Sequence, residues 1–283
     1  MHKPGLLNRL IVYGGALLVA AAVLAPPLWL FISSISTEAE LLSVPVHWIP
    51  REPTFERYRQ ILFLAESDSA VVFRRSILNS IIVATTVTAI CVALGSLAAY
   101  SFARMPFARH GKLIYVLLIS YMLPPIILVI PLYGVMGRLG LADTIPALVL
   151  IYTSLIMPFA VWIMTGYFKT IPGELEDAAM IDGATRMIAF ARIILPLSLP
   201  GLVATALFCF LLSWEEFLIA LIFTSSPAAK TIPVAIAEFT GRHSIDYGMM
   251  AAGGIIAAIP PVLIALVFQR YLISGLSSGA VKG

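Results

Sequence analysis

Two groups of carboxylates stand out in a chain otherwise made of long uncharged runs, and each suggests its own chemistry. Glu215 and Glu216 follow Trp214 inside an apolar run. Charged groups at such depth are costly in lipid and are kept where a cavity or partner meets them, so the pair reads as a proton, cation or solute site, or as the outer end of a shorter helix. The second group, Glu174, Glu176, Asp177 and Asp182, lies in a polar island over 174–196. Three of its acids fall in the first turn of an expected helix, where they suit the positive end of the helix dipole, and the island reads as a docking surface. Catalytic patterns are missing: His2, His47, His110 and His243 have no paired ligands at metal spacing, and no G-x-x-x-x-G-K-[ST] phosphate loop occurs. The chain therefore does not hydrolyse ATP by that route, and no cofactor or metal of its own is expected. Cys91 and Cys209 each sit within an apolar run, as buried thiols rather than a disulfide.

The elements that must carry these groups follow from composition. Of 283 residues, 60% are hydrophobic and 12% charged, and mean hydropathy is +0.98; a soluble domain could not hide so much apolar surface, so the solvent is lipid. A net charge of +3 gives no reason to expect nucleic acid as a partner. Six apolar runs are long enough to span, at about 11–33, 76–103, 113–137, 144–168, 200–223 and 248–269, predicting an all-α integral membrane fold in a single domain. The first run is too long for a secretory signal and is read as a retained helix, kinked by Pro26 and Pro27. Residues 34–75 are polar and charge-balanced, with a short helix expected over Thr54–Leu64. Arg104, Arg109, His110 and Lys112 follow the second run with no acid among them, which marks a cytoplasmic turn and puts both chain ends inside, although Arg74 and Arg75 run against that rule. Pro124, Pro125 and Pro131 must bend or break the third run, either lining a pathway or kinking within a packed bundle.

Within the island, Gly183 breaks the first helix and Thr185 is placed to cap a second that runs to Pro196. Leu175, Ala178, Ala179 and Asp182 recur on one face, the alanines allowing close approach of another surface. The text Asp177-Ala178-Ala179, three residues, Gly183, nine residues, Ile193, one residue, Leu195-Pro196 resembles the coupling motif of ABC-importer permeases. Ile181-Asp182-Gly183-Ala184 and Leu195-Pro196-Leu197 resemble the carbohydrate-uptake branch, to which the smaller maltose permease belongs. The chain departs from that pattern with Asp177 where the family usually has Glu; Glu176 beside it is a possible substitute.

This resemblance implies a type I ABC importer permease in the cytoplasmic (inner) membrane of a prokaryote. It implies a heterodimer with a second permease subunit, two ABC ATPase subunits that bind ATP and Mg, and an extracytoplasmic solute-binding protein. It assigns ATPase coupling to Glu176, Asp177, Ala178, Ala179, Asp182, Gly183, Ile193, Leu195 and Pro196. The Trp214-Glu215-Glu216 text resembles the family's Trp-Asn-Glu, with Glu215 in place of the asparagine, and Tyr121, Trp214, Glu215 and Glu216 become candidates for the solute pathway. Thr240, Gly241, Arg242, His243 and Asp246 fall where a loop would reach the binding protein, or form a solvated turn. The competing reading is an ion-coupled secondary transporter that uses Glu215 and Glu216.

Overall fold

The computed structural model describes residues 6–45, 47–64, 68–105, 110–240 and 246–280, and among them every regular element is helical. In chain order these are α1 (Leu6–Ile35), α2 (Glu38–Leu41), α3 (Glu56–Leu62), α4 (Asp68–Arg104), α5 (His110–Tyr121), α6 (Pro125–Arg138), α7 (Ile145–Thr170), α8 (Glu174–Ile181) and α9 (Arg186–Ala189). A π-helical turn at Phe190–Ile194 follows, then α10 (Leu195–Leu197), α11 (Leu199–Trp214), α12 (Leu218–Phe223), α13 (Ile232–Ala237) and α14 (Tyr247–Ala280). Four of these helices, α1, α4, α7 and α14, are singly long and apolar enough to cross a membrane. Counting each of two bent pairs as one span gives up to six: the third run breaks by 88° between α5 and α6, and the chain from Arg186 to Trp214 bends by 78° beside Ser198.

The chain divides into two compact units, one of residues up to Arg74 with Ala235–Ile259, the other of Arg75–Val234 with the remainder. In the first, the Phe73 and Phe239 rings pack in a tilted pair at 5.7 Å, and Ile61 and Ala70 are also buried. Arg74, which ran against the charge rule, is used locally: its Nη1 donates to the carbonyls of Ile61 (3.1 Å) and Leu64 (2.7 Å), satisfying the open end of α3. Helix α1 packs on little of its own chain; Leu17 and Leu18 are more than two-thirds exposed, as a lipid- or partner-facing helix requires.

In the second unit the core lies along α7. Leu148, Ile151, Tyr152, Ile156, Met164 and Phe168 are buried at helical spacing, with α5 and α11 packed against one stretch of it and α6 and α12 against another. Close approach of α11 to α7 depends on Gly201, where a Cβ would lie 2.4 Å from the Tyr167 ring. Gly95 of α4 similarly sits in contact distance of Ala160 and Met157, the small-residue packing by which helices associate where lipid removes the hydrophobic drive. Cys91 and Cys209 are buried and free.

Several boundaries differ from those read in the sequence, among them the second run, read as 76–103, whose helix starts at Asp68. The fifth run is not continuous over 200–223: α11 ends at Trp214 and α12 starts at Leu218. The helix after Thr185 ends within one residue of Pro196, at Leu197, and the 78° bend falls beside Ser198. The last helix does not end at Arg270 but extends to Ala280. The short helix expected over Thr54–Leu64 spans Glu56–Leu62, with Thr54 Oγ1 accepting the Glu56 N–H at 3.2 Å.

Candidate functional site

The island folds as a helix, a tight turn and a second helix. Its first helix, α8, carries Glu174, Glu176 and Asp177 in the first turn. Its end is closed by two bonds, Ala184 N–H to the Ala179 carbonyl (2.9 Å) and Gly183 N–H to the Met180 carbonyl (3.1 Å), the paired pattern that needs a left-handed residue after the last helical one. Gly183 supplies it with φ +92°. Thr185 then caps α9, its Oγ1 accepting the Ile188 N–H at 3.3 Å.

The protrusion presents Asp177, Ala178, Asp182 and Gly183 to the surroundings, with Ala179 half-buried. Ile181, 86% exposed, stands at the tip, and Met187 and Leu175 are exposed near it. An apolar tip ringed by acids on a polar protrusion is the composition of a surface that seats in another protein. Ile181 and Met187 were not legible as a docking tip, since their periodicity is that of ordinary core residues. Of the later motif positions, Ile193 and Leu195 are half-buried and Pro196 is exposed.

Glu176 is the exception and corrects the sequence reading. Only 4% exposed, it points into the chain and is no substitute for the exposed Asp177. Tyr100 Oη donates to Glu176 Oε1, and Arg104 Nε lies 3.5 Å from Oε2. Arg104 also donates from Nη2 to the Ile171 carbonyl at 2.6 Å. Tyr100 and Arg104 share a face of α4 four residues apart, the one sequence signal that could have suggested a common target.

The other group of carboxylates lies at the break between α11 and α12. Glu215 caps the C-terminal end of α11 and is exposed. Glu216 turns back to start α12: Oε1 accepts the Ile219 N–H (2.8 Å), and Oε2 accepts the Ala220 N–H (3.0 Å) and the Tyr152 hydroxyl (2.6 Å). The adjacent acids thus do not share a continuous helix. A carboxylate with three donors is a structural cap, so of the pair Glu215 is the one left to meet solute or a partner. Trp214 is buried, stacked on Phe210 at 5.5 Å, and does not line an open surface of this chain. Tyr121, at the break of the third span, is 39% exposed and stacks on Phe159 at 5.3 Å. Phe159 and Tyr152 are seven residues apart on α7, so the Tyr121 and Glu216 contacts lie about 10 Å apart along it.

Beyond the break, Asp143 ties the chain after α12 to the start of α7. Its Oδ1 accepts the N–H groups of Ser225 (2.8 Å) and Ser226 (3.0 Å). Burial pushes the Asp143 carboxyl up, but its hydrogen bonds with Ser226 and Ser225 outweigh that and hold it below the ordinary carboxylate range. A lowered native value means stability present above the unfolded value, near 3.9, and lost as pH falls through the native one. The melting-temperature gap between wild type and Asp143→Asn should therefore be widest near neutral pH and shrink below about pH 4; a gap that is constant with pH would show that the charge contributes nothing.

Asp246 is a cap rather than the free tip of a loop: Oδ1 accepts the Met249 N–H at 2.8 Å and lies 3.9 Å from Arg57 Nε. Thr240 is exposed, while Gly241, Arg242 and His243 lie outside the described residues. Among the described residues no cluster of His, Cys, Asp and Glu could hold a metal.

The chain is similar to known proteins. Residues 91–278 match the family described as binding-protein-dependent transport system inner membrane component. The trehalose/maltose transport system permease protein MalG of Thermococcus litoralis is 40% identical over 285 residues, covering 99% of each chain. The trehalose transport system permease protein SugB of Mycobacterium tuberculosis is 40% identical over 268 residues, covering 94% of this chain and 95% of its own. The fold matches a chain in a crystal structure of a bacterial ABC transporter involved in import of the acidic polysaccharide alginate, with TM-score 0.76 and 20% identity over 96% of this chain and 99% of that one. These relatives are permease subunits rather than enzymes, and none supports an ion-coupled carrier. With its glycine-centred protrusion, its two broken spans and its near full-length relatives, this chain belongs to the inner membrane components of binding-protein-dependent transport systems, as a multi-pass permease subunit of an ABC importer.

Proposed function

We propose that residues 1–283 act as one permease domain, with both ends in the cytoplasm, that carries a small sugar of the trehalose and maltose kind inward. The observation that carries the sugar class is the 40% identity to the trehalose/maltose permease over 99% of the chain. The exposed aromatic face of Tyr121 suits a sugar ring, and Glu215 beside a broken span offers an acceptor for hydroxyls. Both positions lie where freed backbone carbonyls need a watery cavity or a neighbouring helix.

The chain works with a second permease subunit as a heterodimer, with two ABC ATPase subunits that hold ATP and Mg, and with an extracytoplasmic solute-binding protein, whose contact would fall at Thr240, Gly241, Arg242 and His243. The segment 174–196, through Asp177, Ala178, Ala179, Asp182 and Gly183, seats in a cleft of the ATPase. Closure of the motor then rearranges the cavity.

The test is reconstitution of the full complex in liposomes with ATP inside. Labelled trehalose or maltose should enter only with both the binding protein and ATP, and a protonophore should leave uptake unchanged while ATP persists. Uptake that needs a proton gradient, or a purified complex without ATPase subunits, would overturn the mechanism. Uptake of neither disaccharide, with ATP hydrolysis stimulated by the loaded binding protein, would overturn the sugar class alone.

A further inference from the structure

Two routes lead from the docking helix α8 into the spans. The covalent route runs forward through the Gly183 turn, the short α9, the π-helical turn at Phe190–Ile194 and the 78° bend beside Ser198. Each step is compliant: a π turn interrupts the regular hydrogen-bond ladder, and a bend of that size absorbs rotation. The apolar contacts of Phe190 and Ile194, with Val161, Met164 and Phe168 and with the Tyr100 ring 4.6 Å from that of Phe190, hold this segment by packing that is non-directional.

The other route is polar and buried. Glu176 sits one residue from the exposed Asp177 and faces the opposite way. Tyr100 is 3% exposed and donates to one carboxylate oxygen; the Arg104 side chain, 14% exposed, pairs with the other. Tyr100 Oη also lies 3.4 Å from the Arg186 carbonyl of α9, and Arg104 Nη2 holds the Ile171 carbonyl just past the end of α7. Three groups thus join the end of α4, the end of α7 and both arms of the protrusion. Separating a buried ion pair strands a charge in a low dielectric, so this junction resists displacement where apolar packing gives way.

We infer that Tyr100, Glu176 and Arg104 form the stiff mechanical link through which a pull on α8 reaches α4 and α7. This deepens the coupling role proposed above and rests on it: Asp177, Ile181 and Gly183 engage the ATPase, and Glu176, facing inward, passes the force on. All three are positioning residues, touching neither solute nor nucleotide.

The test uses the complete complex of both permeases, ATPase subunits and binding protein in liposomes, with trehalose as the transported probe. Tyr100→Phe removes one hydroxyl, and Glu176→Gln keeps the shape without the charge. Both should retain the ATPase subunits on purification yet move about tenfold less trehalose per ATP hydrolysed, in keeping with loss of a charge-assisted bond. The double variant should be no worse than the poorer single one, as members of one unit behave. Arg104→Lys, which keeps a cation, should recover part of the loss seen with Arg104→Gln. Unchanged trehalose per ATP in the assembled Tyr100→Phe complex would overturn the link. Loss of ATPase subunits from Glu176→Gln would make Glu176 a docking group and overturn it as well. The docking reading is judged separately by maleimide labelling of Ile181→Cys, with Cys91 and Cys209 buried: labelling as fast in the complex as in the permeases alone would sink that reading instead.

Discussion

Valine in place of Gly183 should abolish coupled transport while leaving the chain folded and inserted. The reason is local. Gly183 holds φ +92°, a region L-residues with a Cβ rarely enter, yet a Cβ there would meet nothing within 4 Å. The penalty is therefore backbone strain, not a clash, and it falls on the turn alone. At about 2 kcal/mol it lowers the equilibrium constant for forming the docking-competent turn roughly thirtyfold. Losing that turn also frees the carbonyls of Ala179 and Met180, which its N–H groups now satisfy. Gly183→Ala should be milder, Gly183→Asn milder still because asparagine tolerates the left-handed region, and Gly183→Val worst because it is β-branched. Uptake of labelled sugar and ATP hydrolysis, measured in parallel, should diverge in that order. Full uptake by the valine variant would remove Gly183 from the coupling mechanism.

The largest loss of stability is expected at Glu216. Alanine there leaves the Tyr152 hydroxyl and the N–H groups of Ile219 and Ala220 without partners. Tyr152 is 1% exposed, so no bulk water replaces the lost acceptor. At about 1–3 kcal/mol for each polar group left unsatisfied, the total is roughly 3–5 kcal/mol, allowing for relaxation of the short α12. Glu216→Gln keeps one carbonyl acceptor and should lose about a third of that. Glu215→Ala should hardly alter the melting temperature, because Glu215 is exposed at a helix C-terminus, where an anion is disfavoured. A melting curve of the detergent-purified complex checks all three. A Glu216→Ala protein as stable as wild type would mean that the break over 215–217 is held by something other than this cap.

Local chemistry made much of the architecture legible before any coordinates. Apolar run length implied an all-helical membrane fold, three prolines implied the broken third run, and the Asp177-Ala178-Ala179 to Leu195-Pro196 spacing located the protrusion. Gly183 as a helix stop and Thr185 as a cap are likewise properties of the residues and their immediate neighbours. What the string of residues could not decide is which way each acid faces. Glu176 and Asp177 are adjacent and chemically alike, and only a tyrosine 76 residues earlier makes one of them internal. Glu216 became a cap, rather than an ionisable site in a continuous helix, because Tyr152, 64 residues away, meets it across α7 and α12. Run length and capping are set within a few residues by hydrogen bonding and transfer to lipid, so they belong to the sequence. Burial of a charge depends on a partner brought from elsewhere in the chain, so it belongs to the tertiary structure.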